Sequence, residues 1–194
     1  MTEQINLEPI QAEQIIEGDL GSFEGFNFRD QSAIHRLLTA QDVVTWNHDA
    51  QGEAEFWPSG DRPEVLKVFN RTSVTASELL DLDRLLEELG GDSTENFLRI
   101  HYAVNICGAD LATLDSGKVE DHNLHLFLGT SFIDLRREAA FELFELYHPE
   151  EFRVWNESTC DGLIFDEDRF LDSPVFFVEE VALGDQKALL VAPQ

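Results

Sequence analysis

Val175-Phe176-Phe177-Val178-Glu179-Glu180-Val181-Ala182-Leu183, then Gly184-Asp185-Gln186, then Ala188-Leu189-Leu190-Val191: these closing residues decide the fold class. Two apolar runs separated by a Gly-Asp turn read as a β-hairpin. A tight hairpin makes consecutive strands antiparallel, whereas a parallel pair needs a crossover of a dozen residues or more. Upstream, Leu124, Leu126 and Leu128 alternate as a further strand and stop at Gly129.

The middle of the chain is helical. Residues 133–147 form the longest predicted helix, and Pro149 opens a shorter one reaching Trp155. Thr75 or Ser77 opens a run with leucines at 79, 80, 82, 85, 86 and 89, closed by Gly90-Gly91. Ser93 or Thr94 starts another, through Phe97, Leu98, Ile100, Ala103 and Val104, ending near Gly108.

Nearer the start, Val43-Val44-Thr45-Trp46 and Glu53-Ala54-Glu55-Phe56-Trp57 flank a six-residue polar loop as a second hairpin. A third strand is expected over Val65-Leu66-Lys67-Val68-Phe69. Residues 8–17 suit a short helix with Pro9 near its start. Phe26 and Phe28 hint at a strand, and Asp30 or Ser32 caps a helix through Leu38. Strand groups separated by helix groups indicate an α+β fold, with a mainly antiparallel sheet and several packed helices. The length suits one acidic globular domain over residues 1–194, with residues 1–25 as a more loosely attached extension.

Charge dominates the composition. Thirty-nine acidic side chains face thirteen basic ones, a formal charge of −26. Such a surface repels nucleic acid and anionic membranes, and it attracts basic proteins. The chain is nonetheless rich in core formers, with 43% hydrophobic residues, fifteen Phe and three Trp. High charge without aromatic poverty reads as folded rather than disordered. The excess is distributed: −9 over residues 1–60, −6 over 61–120 and −11 over 121–194.

One helix carries charge on a face. At about 100° per residue, Asp134, Glu138, Glu142 and Glu145 fall within roughly 80° of one another, opposite Leu135, Ala139, Ala140 and Leu143. The same spacing describes an ordinary solvated face or a row of anions resembling backbone phosphates. Glu150, Glu151, Asp166, Glu167 and Asp168 extend the acidic set. A 22-kDa fold exposes roughly 9,300 Å², so the charge averages one per ~360 Å². Duplex DNA carries about one per ~110 Å² of a cylinder of ~10 Å radius. Imitation of DNA therefore requires the carboxylates to be gathered on about a third of the surface. The expected function is a non-enzymatic module for a basic partner protein, in its sharper form a DNA-mimic inhibitor of a nucleic-acid-binding protein.

Two alternatives compete. Only three lysines beside ten arginines fit an acidic, salt-adapted soluble domain, although Glu outnumbers Asp by 22 to 17. A small cytosolic enzyme would assemble a site from His101, Asp110, His122 and His125, and needs a concave pocket holding at least two of them. His122 and His125 stand at i, i+3 without the HExxH glutamate, and Asp166-Glu167-Asp168 with Asp172 lacks the glycine and final glutamate of a calcium loop. No P-loop or GxSxG elbow is present, and no cofactor is implied. Cys107 and Cys160 form no CxxC and read as buried reduced thiols of a cytoplasmic protein. The two glycosylation sequons, at Asn70 and Asn156, would then stay unmodified. The hairpin strand Ala188–Val191 either pairs with a second copy as a sheet edge, giving a homodimer, or closes the sheet internally.

Overall fold

In a computed structural model the described residues are 8–11, 28–38, 43–48, 54–57, 62–71, 73–120, 122–157 and 165–194. The protein is α+β, and every strand pairing among these residues is antiparallel. The chain divides into two compact units, residues 1–121 and 122–194. Among the described residues no helix is long and apolar enough to cross a membrane.

The first unit contains β1 (Glu8–Gln11), α1 (Phe28–Leu38), β2 (Val43–His48), β3 (Ala54–Trp57), α2 (Pro63–Phe69), β4 (Val74–Thr75), α3 (Ala76–Glu88), α4 (Thr94–His101) and α5 (Ser116–Glu120). Its sheet has the order β1-β2-β3-β4, so the expected hairpin of the 43–57 region is present as β2 and β3. Three expectations change. Residues 8–11 are a strand rather than the start of a helix. Pro9 is tolerated there because β1 is an edge strand, where a missing N–H breaks no interior ladder. Phe28 opens α1 instead of a strand; Phe26 and residues 12–17 lie outside the described residues.

Residues 65–69 are helical, not extended. The run Val-Leu-Lys-Val-Phe suits either period, and Pro63 at the first turn decides it by presetting a helical φ. Val65 and Val68 are then buried at i, i+3 while Lys67 stays exposed. Asn70, at φ 48°, ends the helix in the left-handed region.

The core of this unit is aliphatic and deep. Leu79, Leu82, Leu85 and Leu86 of α3 pack with Ile34, Leu37 and Leu38 of α1, Val65 and Val68 of α2, and Phe97 and Ile100 of α4. Each fully buried side chain of this kind stabilises by about 1.5–3 kcal/mol relative to exposure. Both ends of α3 are written in the sequence. Thr75 and Glu78 form a reciprocal capping box. At the other end Gly91 N–H donates to the Leu86 carbonyl (2.8 Å) and Gly90 N–H to the Glu87 carbonyl (3.2 Å). That is a Schellman pair, which requires the left-handed φ of 89° at Gly90.

The second unit contains β5 (His125–Gly129), α6 (Phe132–Tyr147), α7 (Pro149–Glu157), α8 (Glu167–Leu171), β6 (Phe176–Leu183) and β7 (Gln186–Pro193). The terminal hairpin is as read, with Leu183 opposite Gln186 across a two-residue Gly184-Asp185 loop. Gly184 takes the positive φ of 64° such loops favour. The sheet order is β5-β7-β6, so β7 is the central strand. Ala188–Val191 is thus no edge, and pairing of that strand with a second copy is replaced by internal closure: β5 and β6 take both of its hydrogen-bonding sides. Leu135, Ala139, Ala140 and Leu143 of α6 pack on Phe127, Leu189 and Val191 of this sheet and on Leu171.

Candidate functional site

Ser131 starts α6, its hydroxyl accepting from the Asp134 N–H at 3.4 Å. From there the apolar positions of the helix fix its rotation. With Leu135, Ala139, Ala140 and Leu143 turned to the sheet, a 3.6-residue period turns Asp134, Glu138, Glu142 and Glu145 to solvent. All four are exposed. Neighbours in the row are at i, i+4 or i, i+3, roughly 5–6 Å apart at Cβ.

The arginines of the same helix do not neutralise this row. Arg136, half-buried on the other flank, donates to Asp168 at 2.9 Å, Asp172 at 2.7 Å and Glu180 at 3.5 Å. Burial pulls its pKa down, but the hydrogen bonds it donates to Asp172 and Asp168 outweigh that and hold it above the ordinary arginine value. Arg137 pairs with Glu167 at 3.4 Å. Both guanidiniums are committed to α8 and β6. Among the described residues no cation pairs with Asp134, Glu138, Glu142 or Glu145.

The remaining acidic candidates separate into two kinds. Asp166 caps α8, accepting from the Arg169 N–H at 3.0 Å, and Glu167 and Asp168 are the ion-pair partners just named. These three hold the fold together. Glu150 and Glu151 are exposed on the first turn of α7, where negative charge suits the helix dipole. Glu150 pairs with Arg153 at 2.7 Å, whereas Glu151 has no ion pair among the described residues.

An aromatic cluster flanks the row, and charge-based reading of the sequence missed it. Phe144 stacks on Phe165 with centroids 4.7 Å apart and meets Phe152 and Phe170 at 5.7 Å. Phe141 lies against Trp155 at 5.4 Å and Phe165 at 5.5 Å. All six rings are half-buried. The signal was available: Phe141, Phe144, His148, Phe152 and Trp155 recur every three or four residues across the Pro149 boundary. These rings fix α7 and the start of α8 against α6, and so fix Glu150 and Glu151 relative to the row.

The dispersed His/Asp set takes other roles. His101 is buried, and its Nδ1 donates to the Lys67 carbonyl at 2.9 Å. Asn105 donates to the Val68 carbonyl at 2.7 Å. The two side chains thereby bind carbonyls in the last turn of α2, where the helix leaves acceptors without intrahelical partners. They stand one turn apart where α4 passes into a π-helical turn, Tyr102–Ile106. Asp110 is exposed and caps the short turn Leu111–Thr113, accepting from Ala112 N–H at 3.1 Å. The cavity that includes Asp110 does not include His101. In the second unit His125 Nε2 meets the Tyr147 hydroxyl at 3.4 Å.

Cys107 is exposed, not buried as expected, because it follows the π-turn at the surface. Tyr102 behind it has its pKa raised, by burial first and then by the Cys107 thiol it hydrogen-bonds. Cys160 lies outside the described residues. Among the described residues no three His, Cys, Asp or Glu side chains converge as a metal site would require.

Comparison with protein families, with curated proteins and with solved structures finds no match to this chain.

Proposed function

We propose that this protein is an acidic binding module that engages a basic surface on a partner protein through the α6 row. One observation carries the reading. Among the described residues every arginine except Arg169 lies in an ion pair, yet the four carboxylates of the row have none. Charge left uncompensated at i, i+4 spacing costs a few tenths of a kcal/mol per pair in the free protein. A cationic partner removes that cost and adds its own attraction, and it is steered in by the net charge of −26.

The sharper form is occupation of a nucleic-acid-binding protein. At 1.5 Å rise per residue, Asp134 to Glu145 covers about 16 Å, or one charge per ~5.5 Å of axis. A single DNA strand carries one per 3.4 Å. The row is therefore within a factor of two of a strand along its own line, though the whole surface averages about threefold below duplex DNA. That local density supports mimicry of a short phosphate run rather than of a full duplex.

The test compares the wild-type protein with an Asp134→Asn, Glu138→Gln, Glu142→Gln, Glu145→Gln variant. Partners captured from a cytosolic extract are measured for affinity from low to high salt and for competition by DNA. A stoichiometric partner whose binding falls steeply with salt, is displaced by DNA and is lost in the variant is the expected result. Affinity unchanged in the variant makes the row a solvated face and removes the proposal.

A further inference from the structure

The first unit has a cavity of about 380 Å³ that the α6 row does not explain. Val68 and Phe69 at the end of α2, Val104 of the π-turn, and Ala109 and Leu111 supply its apolar wall. All five belong to or pack against the buried core of that unit. The rim carries Arg71, Glu78, Asp81 and Asp110. A cleft of a few hundred cubic ångströms, mostly apolar with a few charged groups in its lining, has the build of a small-molecule site.

The rim charges decide what it would take. Arg71 is already committed, hydrogen-bonded to Glu78 and lying 5.8 Å from the Phe69 ring centroid. That pair cancels. Asp81 is half-buried and has no ion-pair partner among the described residues. Asp110 uses Oδ1 to cap Ala112 and also lines the cavity. The remaining lining is two carboxylates beside an apolar wall. An anion would face both of them, and a neutral apolar molecule would leave them unused. An ammonium on an aliphatic or aromatic stem satisfies both parts.

We infer that this cavity, between Val68, Val104 and Leu111 with Asp81 and Asp110 at its rim, is a binding site for a small organic amine. The amine rests on the carboxylates and the stem on Phe69 and Leu111. The site is separate from the α6 row, so the two stand or fall independently.

The probe is 3-phenylpropylammonium, titrated into the 194-residue chain near neutral pH and followed by amide NMR shifts. Its neutral counterpart, 3-phenylpropanol, is titrated alongside. Saturable binding of the amine with shifts centred on residues 68–71 and 104–112, at least tenfold tighter than the alcohol, is expected. Asp81→Asn and Asp110→Asn should each weaken it by about tenfold, because a charge-assisted hydrogen bond contributes roughly 1.5 kcal/mol or more. Asn at 110 keeps the oxygen that caps Ala112, so the turn survives. Ala109→Leu fills the cavity without changing charge and should abolish binding, with the wild-type spectrum elsewhere showing that the fold is intact. No saturable shift up to millimolar amine, equal affinity for amine and alcohol, or an unchanged affinity in both Asn variants overturns the site.

Discussion

The two units solve the same compositional problem in opposite ways. Among the described residues of 1–121, arginines pair with many of the acids: Glu87 with Arg29, Asp83 and Asp92 with Arg36, Glu78 with Arg71, Glu88 with Arg84, and Glu95 with Arg99. The core beneath them is aliphatic and fully buried. In residues 122–194 Arg136 and Arg137 serve α8 and β6, and the α6 row is left alone. The rings beside it are only half-buried. Both units commit most of their arginines to ion pairs, but the second leaves a row of acids beside half-buried rings, a charged and aromatic surface of the kind an interaction uses.

The comparison is broken most directly through the cores. Leu82 is fully buried, so Leu82→Ala should destabilise the first unit by about 3 kcal/mol, within the range for buried leucine truncation. Phe165 touches Phe141, Phe144, Trp155 and Phe170 but is half-exposed. Phe165→Ala should cost about half as much, since less area returns to water. Urea denaturation with peptide-resolved hydrogen exchange assigns each loss to its unit. Equal costs would mean that the aromatic cluster is a core like the other, and the contrast would fall.

Much of this architecture was legible because local rules and packing agree. The Thr75/Glu78 box, Gly90-Gly91, Pro149 and the Gly184-Asp185 turn mark boundaries in sequence that recur in space. The face of α6 followed from its period alone. What failed was short or non-local. Five residues at 65–69 fit either period until Pro63 is weighed. The centrality of β7 depends on β5, some sixty residues away, and no local signal carries it. That Arg136 and Arg137 turn away from the row follows from the same period, but the partners Arg136 takes were hidden, because Asp168 and Asp172 lie 32 and 36 residues further along the chain.

The charge half of the contrast predicts a smaller effect. Asp83 is almost fully buried against the half-exposed Arg36 guanidinium. Asp83→Asn should destabilise the first unit by about 1–2 kcal/mol, as loss of a charge-assisted bond does. Asp92 adds a pH signature. Burial raises its pKa, but the hydrogen bond and charge of Arg36, helped by Arg62, pull it below the ordinary carboxylate value. A carboxyl depressed in the folded state contributes fully above its unfolded pKa of about 3.9 and loses that contribution as pH falls through the folded value. Melting temperature should therefore drop as pH falls below about 4, less steeply in Asp92→Asn. An identical acid slope in the variant would remove Asp92 from the account.

The smallest effect has the opposite sign and is the most discriminating. Glu138→Gln, Glu142→Gln and Glu145→Gln together remove the like-charge contacts at 134/138, 138/142 and 142/145, each costing about 0.2–0.5 kcal/mol. Gln and Glu have nearly equal helix propensity, so the backbone is indifferent to the change. Asp134 is kept because a negative charge in the first turn of α6 interacts favourably with the helix dipole. The triple variant should be more stable than wild type by several tenths of a kcal/mol at low salt. The gain should shrink as salt screens the repulsion over a Debye length of about 10 Å at 0.1 M. Neutralising matched acids in the first unit must do the reverse. A triple variant less stable than wild type would show that the row already has partners within the folded chain, and the surplus charge that distinguishes the second unit would be no surplus.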